Sequence, residues 1–117
     1  MIMKWEHPSE ELSEFLSESL SSIDCEKRKM FGQLAYFING NMFTGVFQSR
    51  IFLRFALETK TELMKEHPEL DHFEPREGMT MKEYVAIPPE LLDTSVFPKL
   101  LSKSIEYVSN LPMKKKK

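Results

Sequence analysis

Two hydrophobic periods alternate along this chain and divide it into elements. Leu12, Phe15, Leu16, Leu20 and Ile23 recur at helical spacing, with serines and glutamates between them. Ser9 stands where an N-cap belongs, and Glu10 and Glu11 suit the positive end of a helix dipole. From residue 30 to residue 55 the period drops to two. Residues 34–38 are rich in β-formers, Asn39-Gly40 is the strongest short hairpin signal, and residues 42–47 supply the return strand. A second tight turn at Gln48-Ser49-Arg50 leads into residues 51–55. The pattern predicts a three-stranded antiparallel meander.

Residues 59–66 read as a short helix that stops at His67-Pro68, because a residue before proline avoids the helical region. A loop with Pro75 and Gly78 follows, then a strand over 81–87 bounded by Pro88-Pro89. Residues 97–111 form an amphipathic helix with Phe97, Leu100, Leu101, Ile105, Val108 and Leu111 on one side. The predicted order is α-β-β-β-α-β-α, with room for a short extra strand near Phe73. This is an α+β fold, an antiparallel sheet with N- and C-terminal helices packed on it.

Strand parity makes the sheet unusual. With Asn39 and Gly40 in the turn, Phe37 pairs with Met42 and Ala35 with Thr44. One face then holds Ala35, Phe37, Met42, Thr44, Val46, Ile51, Leu53 and Phe55. The other holds Leu34, Tyr36, Ile38, Phe43, Phe47, Phe52 and Arg54. Neither face is polar, although a lone antiparallel sheet usually wets one of them. Two substantial helices are few for both faces, so the expectation is a homodimer that buries the aromatic face, or the edge beside it. Helices split between the two faces are the alternative.

A chain of 117 residues suits one domain, assigned to 1–113, because two halves would each lack an adequate core. Hydrophobic residues at 41% make it too apolar for a disordered protein. No apolar stretch is long enough to span a bilayer. The start carries Lys4, Glu6 and His7 and does not read as a secretory signal. With a single cysteine, Cys25, the expectation is a cytoplasmic protein. Lys114, Lys115, Lys116 and Lys117 read as a disordered, solubilising tail, and without them the net charge falls from −2 to −6. Contact with nucleic acid would therefore run through that tail.

The stretch Arg28-Lys29-Met30-Phe31-Gly32 resembles the arginine-x-methionine-phenylalanine-glycine signature that opens the first strand of the TfoX (Sxy) N-terminal domain family. Gly40-Asn41-Met42-Phe43 is similar to that family's hairpin, and residues 50–54 to its third strand. Tyr84-Val85-Ala86-Ile87-Pro88-Pro89-Glu90 is similar to its tyrosine-rich strand. The order and spacing cover residues 23–111. The resemblance implies helices packed on an antiparallel sheet, in a stand-alone single-domain member. It also implies a link to competence genes, since full-length TfoX proteins are transcriptional coactivators of DNA-uptake genes.

Arg28 could bind an anion bidentately, though a structural ion pair is the commoner use. Gly32 suits a bend or bulge. Lys27, Arg28 and Lys29 would form a basic patch with Arg50 and Arg54 if the fold joins them, scattered surface charge being the default. Cys25 lies between Asp24 and Glu26, which discourage a thiolate. His67-Pro68-Glu69-Leu70-Asp71-His72 matches no strong zinc spacing. No catalytic motif appears, and neither an enzyme nor a cofactor is expected.

The expected function is a non-catalytic regulatory module acting through protein contacts, with an unidentified protein partner. Its candidate binding residues are Arg28, Met30, Phe31, Gly32, Phe43, Phe52, Arg54 and Tyr84. The alternatives are a small-ligand binder, with the aromatic face as pocket wall and Arg28 or Arg54 as anchor, and a nucleic-acid accessory protein.

Overall fold

Asn39 and Gly40 take φ values of 53° and 78°, the left-handed pair that a two-residue hairpin turn demands. In the computed structural model, which describes residues 9–30, 33–47, 50–76 and 78–112, this turn joins β2 (Gln33–Ile38) to β3 (Asn41–Phe47). β4 (Arg50–Arg54) continues the meander, and its register with β3 begins at Phe47 and Arg50. Of the turn expected at Gln48-Ser49-Arg50, Gln48 and Ser49 lie outside the described residues.

The meander has four strands rather than three. β1 (Glu26–Met30) precedes β2 and pairs with it in five unshifted positions, from Glu26 opposite Phe37 to Met30 opposite Gln33. Its sequence, EKRKM, lacks the apolar alternation that reveals a half-buried strand, because β1 is an edge. Arg28, Lys29 and Met30 therefore close the first strand and do not open the second.

The extra strand near Phe73 is present as β5 (Asp71–Arg76), paired with β6 (Met79–Ile87). All pairings are antiparallel, and the six strands run β1-β2-β3-β4-β6-β5 across the sheet. With α1 (Ser9–Ser19), α2 (Leu57–Glu66) and α3 (Val96–Ser109), the order is α-β-β-β-β-α-β-β-α, an α+β fold. A 3₁₀ turn, Pro89–Leu91, precedes α3.

The helices do not divide between the faces. Leu12 and Leu16 of α1, Leu63 of α2 and Phe97, Leu100 and Val108 of α3 share one core with Tyr36, Phe43, Val46, Ile51, Leu53, Val85 and Ile87. Phe15 meets Phe97 with ring centroids 5.4 Å apart, joining α1 to α3. The opposite face has its own cluster of Ala35, Phe37, Met42, Phe52, Phe73 and Tyr84, to which none of α1, α2 and α3 contributes.

This partition corrects the parity prediction. Phe37 does pair with Met42, but Tyr36 pairs with Thr44 and Ala35 with Gly45, so Phe43 is an extra residue in β3. A bulge of this kind reverses the alternation beyond it. Ala35, Phe37 and Met42 consequently join Phe52 and Phe47, while Tyr36 and Phe43 join Ile51 and Leu53 beneath the helices.

The aromatic face is closed within one chain, which removes the reason given for a dimer. Phe52 and Phe73 stack at 4.5 Å although β6 separates their strands, which lie roughly 10 Å apart at ordinary strand spacing. Ala86, opposite Phe52, leaves room for them, and the pairing of β5 with β6 shifts register on both sides of Phe73. Phe47 meets Phe73 edge-on at 5.6 Å, and Tyr84 meets Phe52 at 5.8 Å. Phe52 is 1% exposed and Tyr84 8%.

Candidate functional site

The bulge at Phe43 leaves two carbonyls that side chains must satisfy. Tyr84 donates its hydroxyl to the Met42 carbonyl at 2.8 Å. Ser104 of α3 donates to the Phe43 carbonyl at 3.4 Å and accepts from the Arg54 backbone N–H at 3.3 Å. The serine thus occupies the place where Phe43 and Arg54 would have bonded directly had the ladder of Thr44 with Leu53 continued.

Arg54 anchors a polar knot at this end of the sheet. Its Nε donates to Glu83 Oε1 at 2.7 Å, and the Tyr107 hydroxyl donates to Glu83 Oε2 at 2.9 Å. The guanidinium lies 5.6 Å from the Tyr84 ring centroid and 5.8 Å from that of Tyr107, within cation–π range of both. Burial raises both phenols above their ordinary value, and the bond to Glu83 adds to the effect at Tyr107. A raised phenol keeps its proton and a paired guanidinium its charge, and the knot ties β4, β6 and α3 together.

Along the β1 edge the charges alternate between faces. Arg28 forms a two-point bond with Glu26, at 3.0 and 3.1 Å, and its guanidinium sits 4.6 Å from the Phe37 ring centroid on the aromatic face. On the helix face, the Lys27 ammonium lies 6.0 Å from the ring centroid of Tyr36. Lys27 and Lys29 are exposed.

The predicted site residues do not form one site. Phe52, Arg54 and Tyr84 come together, with Arg54 directly opposite Tyr84. Arg28 lies at the far edge, three strands from Arg54. Phe43, completely buried, faces the helices and offers no contact surface. Met30 ends β1 with only its backbone described, and Phe31 and Gly32 lie outside the described residues, as do the four terminal lysines.

The proposed basic patch does not assemble. Arg50 pairs with Asp71 at 2.9 Å, Arg54 with Glu83, and Arg28 with Glu26, each at a different place in the sheet. On the aromatic face the Phe52 and Phe73 rings stack on each other and Phe37, Met42 and Tyr84 are buried beside them.

Cys25 is half-buried, and burial first, then Asp24, raises its thiol above the ordinary value. Among the described residues no group of three His, Cys, Asp or Glu side chains could hold a metal. Nor is any described helix long and apolar enough to cross a membrane.

One feature on the helix side escaped the sequence. A cleft of about 430 Å³ lies between α2 and the β5–β6 hairpin, lined by Leu57, Lys60, Thr61, Met64, His72 and Lys82. Lys60 reads as a surface lysine in sequence and is nevertheless buried. Only the packing of α2 on β6 reveals it.

Three helices on one face of a six-stranded antiparallel sheet, with a cluster of aromatic rings on the other, define an α+β domain. The model of the TfoX N-terminal domain matches residues 18–106, and the chain belongs to that family. No curated protein and no solved structure matches it significantly.

Proposed function

We propose that this domain is a non-catalytic regulatory module of the cytoplasm that works by binding a protein partner, and that the partner adds an acidic extended segment to the open edge of β1. The observation that carries this reading is the edge itself. β1 has five regular pairs with β2, and its outer side has no strand partner among the described residues. Such an edge presents unpaired backbone groups as a template for another strand.

The two edges differ. β5 includes Pro75 and has two register shifts, features that discourage pairing. β1 is regular and bears Lys27, Arg28 and Lys29. A second copy docking there would set like charges against each other, whereas an acidic strand would be drawn in. The role of full-length TfoX proteins as transcriptional coactivators supports a partner in the transcription machinery.

The test is NMR titration with an acidic, strand-forming peptide and its charge-reversed counterpart, joined to nuclease-treated pulldowns with the wild type and a K27E/K29E variant. Shifts along β1 with the acidic peptide, and a nuclease-resistant partner lost in the variant, are expected. Unchanged capture by the variant, or shifts confined to other strands, would overturn the edge assignment.

A further inference from the structure

The cleft between α2 and the β5–β6 hairpin combines an apolar wall with a lysine whose ammonium makes one hydrogen bond to the described residues. Lys60 is only 5% exposed, and its ammonium donates to the Lys82 carbonyl at 2.7 Å. An ammonium has three N–H donors, and no carboxylate among the described residues pairs with this one. A buried charge with one neutral acceptor is costly unless a counter-charge is supplied. Burial accordingly lowers the Lys60 pKa from its ordinary value.

The contact with Lys82 has a local cause that does not explain the cleft. His72 pairs with Val85 and Phe73 with Met81, so Lys82, Glu83 and Tyr84 have no opposite number in β5. Lys60 satisfies one carbonyl in that irregular stretch, and this accounts for one of its N–H groups. The open volume above it remains. Leu57, 52% exposed, stands among the lining residues as a large apolar side chain that the core does not use. Met64 adds a second apolar surface, while Lys82 and His72 are exposed. None of the described residues that line the cleft is acidic.

We propose that this cleft binds a small organic carboxylate with an apolar body, its carboxylate directed to Lys60 and Lys82 and its body laid against Leu57 and Met64. The volume of about 430 Å³ falls within the range of small-molecule pockets. A single negative charge matches one buried ammonium. A phosphate would bring more charge and is best met by a fork of donors or a backbone nest, and neither is present among the described residues that line the cleft. The site is separate from the β1 edge and stands or falls independently of it.

The test is NMR titration of the intact chain with octanoate, with octanol and inorganic phosphate as controls. Saturable shifts in α2 and β6 are expected with octanoate, and binding about tenfold weaker or more with either control, the loss typical of a missing charged hydrogen-bond partner. K82Q should weaken octanoate several-fold and K60M by about tenfold. Because K60M strands the Lys82 carbonyl, L57D serves as a second variant: it places an acid on an exposed position and should also abolish binding. Octanol binding as well as octanoate would reduce the cleft to a greasy groove, and phosphate binding as well would make it an anion site. Either result, no saturable shift at millimolar octanoate, or full binding by L57D, would overturn the proposal.

Discussion

The Tyr84 hydroxyl donates a 2.8 Å hydrogen bond to the Met42 carbonyl, reaching from β6 over β4 to β3. Met42 immediately precedes the extra residue of the bulge, so a side chain from two strands away completes a ladder that the bulge interrupts. Tyr84→Phe keeps the ring against Phe52 and leaves that carbonyl without its partner. A loss of about 1–3 kcal/mol is expected by urea denaturation. An unchanged midpoint would show that water replaces the hydroxyl at no cost.

The same phenol gives the fold an alkaline limit. Its folded pKa lies above the unfolded value of about 10. At pH values above the unfolded value, the folded chain therefore holds more protons than the unfolded one. The stability it contributes is complete below the unfolded value and is lost as pH rises through the folded one. The denaturation midpoint should fall as pH passes above about 10, and less steeply in Tyr84→Phe. Tyr107 is raised in the same direction, so some decline should persist in the variant. Identical pH slopes in the two proteins would exclude Tyr84 as a source.

Gly45 is required by close approach. A Cβ there would lie 2.7 Å from the Leu34 carbonyl oxygen and 2.8 Å from Phe52 Cζ. The ring is held by its stack on Phe73, and the backbone oxygen belongs to the neighbouring strand. Gly45→Ala should cost about 1–3 kcal/mol, measured by thermal or urea unfolding. Adding Phe52→Leu should recover only part of the loss, and full recovery would assign the whole conflict to the ring.

Ser104 bridges β3 and β4 from the helix side, through Phe43 and Arg54. Ser104 is completely buried, so Ser104→Ala strands a donor and an acceptor together. A loss of about 1–3 kcal/mol is expected, with faster hydrogen exchange at the Arg54 amide. Unchanged exchange at that amide would show that the hydroxyl does not hold it.

The closed aromatic face bears on association. Phe37, Phe52, Phe73 and Tyr84 are each buried in the single chain, so the described part of this face offers little apolar surface to a second copy. Light scattering at micromolar concentration should give the mass of one chain. A stable dimer would point to an edge contact at β1, which K27E/K29E would alter.

Much of the architecture is local and was therefore legible. Asn39-Gly40 announces its hairpin because few residues tolerate the left-handed pair. α1 and α3 announce themselves by the period of Leu12, Leu16 and Leu20 and of Phe97, Leu100, Leu101 and Val108. β1 is silent because an edge strand of charged residues carries no hydrophobic alternation. Of the candidate site, Arg54 and Tyr84 were found through the resemblance, but their partners Glu83 and Tyr107 read as ordinary surface residues until α3 packs on the sheet.

By itself, then, the sequence determined the class of fold, the family and the positions of the main turns, since period and turn chemistry act over a few residues. Tertiary structure alone decided which face each side chain takes. Phe43 becomes a bulge because Tyr84 and Ser104, 42 and 61 residues away from the carbonyls they satisfy, supply the hydrogen bonds that a bulged strand lacks. One such residue reverses the parity of everything beyond it, and no local pattern records that its distant partners will arrive.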